Sequence, residues 1–281
     1  MHIRHLLAVA LAFPLSAWAE GSSPWLPIPG QLLLGVNHAE QTAKNAYIGT
    51  MKVPVVAITG GGATTFKRST TTLRLGYGIS DSLAIDASLG AGRVKVGAAD
   101  SDSGVIDSVV GLSWRVLDEF ERAGLPTVTL RGAAIINGGY DGARLAALGN
   151  DASGVELALL VGKELTSAFS LWGEVGVQKR TNDVPLATFV EVGARYRVIP
   201  ALNVSLGFTS KKYGGDLDIG GPGFTPARFQ QVRAERSLVK VGLGYAIAGN
   251  QGIALNVSSV LSGRNTVKDD RIAGVSYTFG F

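Results

Sequence analysis

The last thirteen residues, 269-DDRIAGVSYTFGF-281, alternate between two kinds of side chain. One set of alternate positions is apolar or aromatic: Ala273, Val275, Tyr277, Phe279 and Phe281. The other set is small or polar: Gly274, Ser276, Thr278 and Gly280. Because successive side chains of a β-strand point to opposite faces, the pattern predicts a strand with one apolar and one polar face.

A terminal strand with alternating aromatic residues resembles the closing strand of bacterial outer-membrane β-barrels. In that class the C-terminal aromatic motif is read by the barrel assembly machinery, and the resemblance assigns this role to Tyr277, Phe279 and Phe281. It also implies outer-membrane lipid around the barrel, and localisation in the cell outer membrane.

The composition favours strands over helices. Hydrophobic residues make up 46% of the chain and charged residues only 17%, with 38 glycines. After the N-terminus no run reaches the ~20 apolar residues that a spanning helix needs. The net charge of +4 is not clustered, so nucleic acid is not an expected partner. The absence of cysteine excludes disulfides and thiolate metal sites, and no other motif indicates a metal or cofactor.

Residues 1–19 predict a cleaved signal peptide. Arg4 supplies the positive charge, residues 6–15 supply a short apolar core, and Ala17-Trp18-Ala19 supplies the cleavage site. We expect the mature chain to start at Glu20. Residues 20–29 are then a short periplasmic segment whose prolines exclude a helix or a central strand, and residues 30–281 form the barrel.

Twelve segments carry the two-residue alternation of strands. They are 30–37, 64–78, 83–94, 105–116, 127–137, 155–165, 169–179, 187–198, 202–211, 234–246, 252–262 and 269–281. Single-chain bacterial barrels have an even strand count, with short periplasmic turns and long extracellular loops. We therefore predict an all-β, transmembrane antiparallel barrel of 12 strands with both termini in the periplasm. A soluble β-sandwich would also alternate, but the signal peptide and terminal Phe281 weigh against it.

If the apolar positions face lipid, the other positions line the lumen. The acidic residues there are Asp86, Asp107, Glu156, Glu164, Glu174 and Glu191. The basic residues are Arg74, Arg115, Arg131, Arg195, Arg197, Arg236 and Lys240, and the main aromatic residues are Trp172 and Phe189. A selective ion pore favours one sign of charge, whereas these signs nearly balance. We expect acids and bases to pair and to narrow the lumen, since a buried charge needs a partner; direct contact with a solute is the alternative.

Residues near the N-terminus carry a family resemblance. Trp25, Pro27 and Gly30, then a strand, a loop and LRLGYGISDSLAIDASLG at 73–90, resemble the MetA-pathway-of-phenol-degradation family of Gram-negative outer-membrane transporters. The resemblance implies passage of small, often aromatic or apolar, molecules. It supplies no catalytic residues.

Two other functions stay open. An outer-membrane lipid hydrolase would need an activated nucleophile, for which His38 and Ser69 on neighbouring strands are the candidate pair. No acid is evident to orient the imidazole. A purely structural barrel is the other alternative. We predict a non-enzymatic channel or transporter for a small-molecule solute, with no cofactor.

Overall fold

The computed structural model describes residues 23–122, 124–142 and 144–281, and most of them form one closed antiparallel β-barrel. The strands are β1 (Leu32–Ala43), β2 (Asn45–Ile48), β3 (Met51–Pro54), β4 (Phe66–Ser80), β5 (Leu83–Val96), β6 (Asp100–Val105), β7 (Ser108–Leu117), β8 (Thr127–Ile136), β9 (Gly154–Glu164), β10 (Phe169–Arg180), β11 (Ala187–Ile199), β12 (Leu202–Tyr213), β13 (Glu235–Ala248), β14 (Gln251–Arg264), β15 (Val267–Lys268) and β16 (Arg271–Gly280). The ring closes because β1 pairs with β16 on one side and with β4 on the other.

The barrel wall has twelve strand positions, as predicted. β6 and β7 pair with successive parts of β5 and so together occupy one strand position, while β2, β3 and β15 lie outside the ring. The predicted strands are all present with shifted ends. β1 continues to Ala43 instead of ending at Asn37. The fourth predicted strand is broken at Ile106 and Asp107, where the Asp107 carboxylate accepts hydrogen bonds from other parts of the chain.

Alternation separates the two faces of the wall. On β9, Val155 and Leu157 are 58% and 63% exposed in the isolated chain, whereas Ala158 and Leu160 are 8% and 1% exposed. Many outward residues of the other strands are likewise large and apolar, which is the belt that a transmembrane barrel presents to lipid. Many inward side chains are buried, so side chains fill much of the interior.

The two ends of the barrel differ. Short connections at 81–82, 165–168, 200–201 and 249–250 define what we call the turn end, where Phe281 also lies. Long connections at 44–65, 137–153 and 214–234 define the loop end. One connection at the turn end, 118–126, is longer than its neighbours. In the part of the chain described, no helix is long and apolar enough to cross a membrane.

The loop end has a small hydrophobic core that the periodicity did not predict. β2, β3 and β15 form a separate three-stranded sheet. The one-turn helix Val55–Ile58 directly follows β3 in the chain. The buried residues of this core are Ala43, Val55, Ala63, Phe66, Val94, Val96, Tyr140, Ala146 and Leu148. Strands of two or four residues are too short to show a period, which is why they were missed.

Asp218 fastens the long connection 214–234 to the wall. Its Oδ1 accepts from Arg264 Nε at 2.8 Å and from Asn265 Nδ2 at 2.6 Å, and its Oδ2 accepts from Arg264 Nη2 at 2.7 Å. Chiefly through the Arg264 hydrogen bonds, the pKa of Asp218 falls to about 2. Because the pKa of this carboxyl is lower in the folded than in the unfolded state, its ionised form stabilises the loop at pH values above the ordinary pKa of 3.8. This stabilisation is lost as the pH falls towards about 2.

Candidate functional site: the barrel interior

The structure places the fourteen candidate lumen residues on the inward side of the wall. Asp107 lies in the break between β6 and β7, and the others alternate with exposed apolar residues on their strands. They are Arg74, Asp86, Asp107, Arg115, Arg131, Glu156, Glu164, Trp172, Glu174, Glu191, Arg195, Arg197, Arg236 and Lys240. That they line the route of a solute stays a prediction.

A chain of hydrogen bonds, which we call the central network, joins Asp86, Arg131, Glu156, Gln178 and Lys211. The Arg131 guanidinium binds Asp86 through two bonds of 3.2 and 2.8 Å and donates a third, of 2.9 Å, to Glu156 Oε1. Gln178 Nε2 donates to Glu156 Oε2 at 3.0 Å, and Lys211 Nζ donates to Gln178 Oε1 at 2.8 Å. The network extends over the inner wall from β5 to β12, and its bidentate pair fixes the geometry of Arg131.

A glycine permits the pair at the centre of this network. Asp86 on β5 and Arg131 on β8 meet across the intervening strand β7, over Gly111. A Cβ atom at position 111 would lie 2.5 Å from Arg131 Nη2 and 2.6 Å from Asp86 Oδ1. Any side chain there would therefore push the ion pair apart.

The network has a branch at the loop end. Arg180 Nε donates to Gln178 Oε1 at 3.2 Å, and Arg180 Nη1 donates to Asp107 Oδ2 at 2.5 Å. The hydroxyl of Tyr140, on the connection 137–153, donates to Asp107 Oδ1. Burial and then the hydrogen bond to Asp107 raise the pKa of Tyr140, so its hydroxyl stays protonated as a donor.

The first described residues, 23–29, enter the barrel from the turn end; we call them the N-terminal segment. Trp25 and Leu26 are only 6% and 5% exposed. Trp25 Nε1 donates to Glu119 Oε1 at 2.9 Å, and Thr129 Oγ1 on β8 donates to the carbonyl of Pro24 at 2.7 Å. Residues 20–29 are predicted from the sequence to be a periplasmic segment, and of the described part of it residues 24–27 are buried at the turn end of the barrel.

Arg195 lies against two indole rings inside the turn end. Its guanidinium carbon is 5.8 Å from the Trp25 ring and 5.6 Å from the Trp172 ring, within the range of cation–π attraction. Glycines make room for both rings. A Cβ at Gly162 would lie 2.5 Å from Pro24 and 2.8 Å from Trp25, and one at Gly193 would lie 2.2 Å from Trp172.

Glu119 anchors the N-terminal segment. The strand periodicity gives no indication of this role, because Glu119 lies in a connection. Its side chain is 3% exposed and accepts from Trp25 Nε1, from Thr127 Oγ1 at 3.3 Å and from the Glu164 backbone N–H at 2.9 Å. Lys163 Nζ lies 3.5 Å away. The unusual length of the connection 118–126 at the turn end was the signal that could have found it, since the added residues fold inward.

Two cavities among the described residues bear on passage through the interior. The inner cavity, of 200 Å³, is bounded by Leu26 and Pro27 of the N-terminal segment and by Arg74, Arg131 and Glu156. The outer cavity, of 430 Å³, is at the loop end, and Lys211 of the central network is among its lining residues. The inner cavity is thus bounded both by the N-terminal segment and by Arg131 and Glu156 of the central network.

At β10 and β11 an acid faces another acid in register, and a base approaches one of the two. Glu174 lies directly opposite Glu191 in register, and Glu191 Oε1 is 3.8 Å from Lys240 Nζ. Arg131 binds Asp86 and Glu156, on β5 and β9, and Arg195 lies between tryptophans. Two pairs at the barrel ends are Arg115 with Asp118, at 2.9 Å, and Arg236 with Asp269, at 2.6 Å.

The pair considered for a hydrolase is not formed. His38 Nδ1 lies 2.9 Å from Thr71 Oγ1, and Thr71 is its register partner on β4, whereas Ser69 is opposite Glu40. Glu40 Oε1 is 4.0 Å from His38 Nε2, and both side chains are well exposed. The described ranges also hold no group of three or more histidine, aspartate or glutamate side chains that could bind a metal ion.

The terminal aromatic residues face outward at the turn end. Phe279 and Phe281 pack edge to face with ring centroids 4.5 Å apart, and Phe281 is 68% exposed. Tyr277 donates its hydroxyl hydrogen to Gln251 Oε1 at 2.8 Å. Tyr277 and Phe279 of β16 and Phe281 directly after it thus place three aromatic rings on the outward side of the wall.

Solved structures with the same fold are outer-membrane barrels. The COG4313 outer membrane channel from Pseudomonas putida F1 superimposes with a TM-score of 0.71 at 18% identity, covering 91% of this chain and 97% of that chain. The KdgM porin gives 0.53 at 9% identity, covering 89% and 99%, and the NanC porin gives 0.53 at 8%, covering 88% and 98%. At these identities the likeness establishes the fold alone.

Sequence comparison gives the family. A family model described as "Putative MetA-pathway of phenol degradation" matches residues 53–277, which is most of the chain. The resemblance seen in the sequence is thereby confirmed. No curated protein sequence matches the chain.

Proposed function

The chain belongs to the MetA-pathway family of phenol degradation, and on that premise we propose that it is an outer-membrane channel for small molecules with a narrow, charge-lined lumen. The loop end faces the exterior and the turn end faces the periplasm, as in other bacterial barrels. The solute enters the outer cavity, passes the central network and leaves beside the N-terminal segment.

One observation carries this proposal: the described part of the barrel holds an inner cavity bounded by ionisable side chains and a larger outer cavity at the loop end, with charged groups in the walls of both. A barrel that served only as an anchor would need no cavity of 430 Å³. The ionisable residues around the inner cavity and in the central network keep the interior hydrated, and their near balance of sign supports passage of small solutes over strong ion selectivity.

The proposal predicts small, discrete conductance steps when the refolded protein is placed in planar bilayers in potassium chloride. The steps should be small because side chains fill much of the lumen, and phenol added on one side should reduce the current by occupying the cavities. A protein that folds, as judged by its heat-modifiable band, but gives no current above that of bare lipid would contradict the channel and favour a structural barrel.

We propose that β16 is the strand that the assembly machinery recognises, through Tyr277, Phe279 and Phe281. Replacing Phe281 with Asp should lower the amount of folded protein in the outer membrane without changing signal cleavage. Phe281 is 68% exposed, so its loss removes little packing. Met51→Asp, at an apolar residue 66% exposed on β3 outside the ring, is the matched control. Equal folded levels for wild type and Phe281→Asp would exclude the recognition role.

A further inference from the structure

The outer cavity has the size and the closure of a ligand site. Its volume of 430 Å³ lies in the range of about 300–1,000 Å³ typical of small-molecule pockets. Residues of the loop-end core and of the connections 137–153 and 214–234 line it together with inward residues of the barrel. It therefore has walls that a simple wide pore mouth would lack.

Aromatic and aliphatic side chains form much of these walls. Phe66, Tyr47, Tyr213 and Phe229 contribute four rings from four different parts of the chain. Val55 is 4% exposed and Phe66 is 7% exposed, so the apolar wall is firmly packed from behind. Such a surface favours a flat, apolar ring over a sugar, which would need polar partners around its whole edge.

The charged groups of the cavity do not balance. Four bases, Arg68, Arg144, Lys211 and Arg236, line it with two acids, Glu235 and Asp269. Arg144 pairs with Asp100, Arg236 binds Asp269, and Glu235 accepts from Arg233 at 2.8 Å. Arg68 and Lys211, by contrast, donate to neutral oxygens, the Ala147 carbonyl and Gln178 Oε1, both at 2.8 Å. Within the described ranges neither forms an ion pair, so the cavity carries an excess of positive charge.

Two donors beside the cavity lack acceptors. The Nε atoms of Arg68 and Arg236 are buried and have no hydrogen-bond partner among the residues described. Arg68 also lies 6.0 Å from the centre of the Phe66 ring, so basic and aromatic groups are adjacent.

We propose that the outer cavity binds a small aromatic carboxylate, with the ring among the aromatic side chains and the carboxylate at Arg68 and Lys211. This inference rests on the proposed channel, for which it names the substrate class. A neutral hydrocarbon would leave the excess positive charge without a counterion. A cation would be repelled by the same excess, and a larger polyanion would not fit against the apolar wall.

The test is the binding of benzoate to the purified protein in detergent, measured by isothermal titration calorimetry at neutral pH. Benzyl alcohol keeps the ring without the charge, and acetate keeps the charge without the ring. Benzoate should bind at least about tenfold more tightly than benzyl alcohol, because a charge-assisted hydrogen bond is worth more than that factor. It should also bind at least about tenfold more tightly than acetate, because burial of the ring adds a favourable apolar contribution. The affinity should fall with added salt. Equal binding of benzyl alcohol and benzoate, or no benzoate binding, would overturn the inference.

Arg68→Met retains the length and apolar stem of the side chain and should weaken benzoate binding by about tenfold or more. Arg93→Met, at an exposed arginine on β5, is the matched control and should bind as wild type does. If Arg68→Met does not fold, Lys211→Met and the three-ligand comparison on wild type decide the question. A wild type that conducts but does not bind benzoate would leave the channel standing and remove the site. Benzoate binding without any conductance would support the binding site and contradict the channel.

Discussion

Deleting residues 23–29 should raise the single-channel conductance of the refolded protein several-fold. The N-terminal segment fills the turn end of the barrel with Trp25 and Leu26, which are 6% and 5% exposed. It is held there by Glu119, by Thr129 and by the backbone contact between Pro29 and Gly78. Without it the inner cavity would open to the turn end. Planar-bilayer recording of the deleted and intact proteins measures the effect.

Two point variants separate the blocking role of the segment from its role in folding. Trp25→Ala removes the indole but keeps the chain, and Gly162→Ala places a Cβ 2.5 Å from Pro24, so the segment has to move away from the wall. Both should raise conductance by less than the deletion. Ile28→Ala, at a residue of the same segment that is 42% exposed, should leave conductance unchanged. Unchanged conductance in the deleted protein would mean that the narrowest point lies elsewhere, with the central network as the candidate.

Arg131→Met should destabilise the barrel by about 2 kcal/mol and shift the pore towards cations, because removing one partner leaves the two partly buried acids of the network unpaired. Arg131 is 9% exposed and holds both Asp86 and Glu156. Urea unfolding followed by the heat-modifiable band measures the stability. The reversal potential in a potassium chloride gradient measures the selectivity.

A double-mutant cycle tests whether the network acts as a unit. Asp86→Asn with Arg131→Met should cost less than the sum of the single changes, since each single change already leaves the other group without its partner. Arg93→Met, on the exposed side of β5, supplies the baseline for loss of an arginine. Strict additivity, with no shift of reversal potential, would show that these side chains are separately hydrated in a wide pore.

The fold followed from local information in the chain. Side chains on a strand alternate with period two, and a closed barrel gives each face a single environment, lipid or interior. The alternation in 155–165 or 269–281 therefore predicted both the strand and the face of each residue. It also assigned the inward position of Arg131 and Glu156 without knowledge of their neighbours. Gln178 and Lys211 share the inward positions of β10 and β12 and could have been found in the same way.

Only the tertiary structure decided which inward residues meet. Asp86 reaches Arg131 across a whole strand because the stagger of the barrel and the missing side chain of Gly111 permit it. The period of one strand predicts neither the stagger between strands nor which residue lies between Asp86 and Arg131. The place of Trp25 was hidden for a related reason: residues 23–29 are proline-rich and have no period, and their position depends on the space left inside the closed ring. Gly162 leaves that space free, although it is 137 residues away from Trp25 in the sequence.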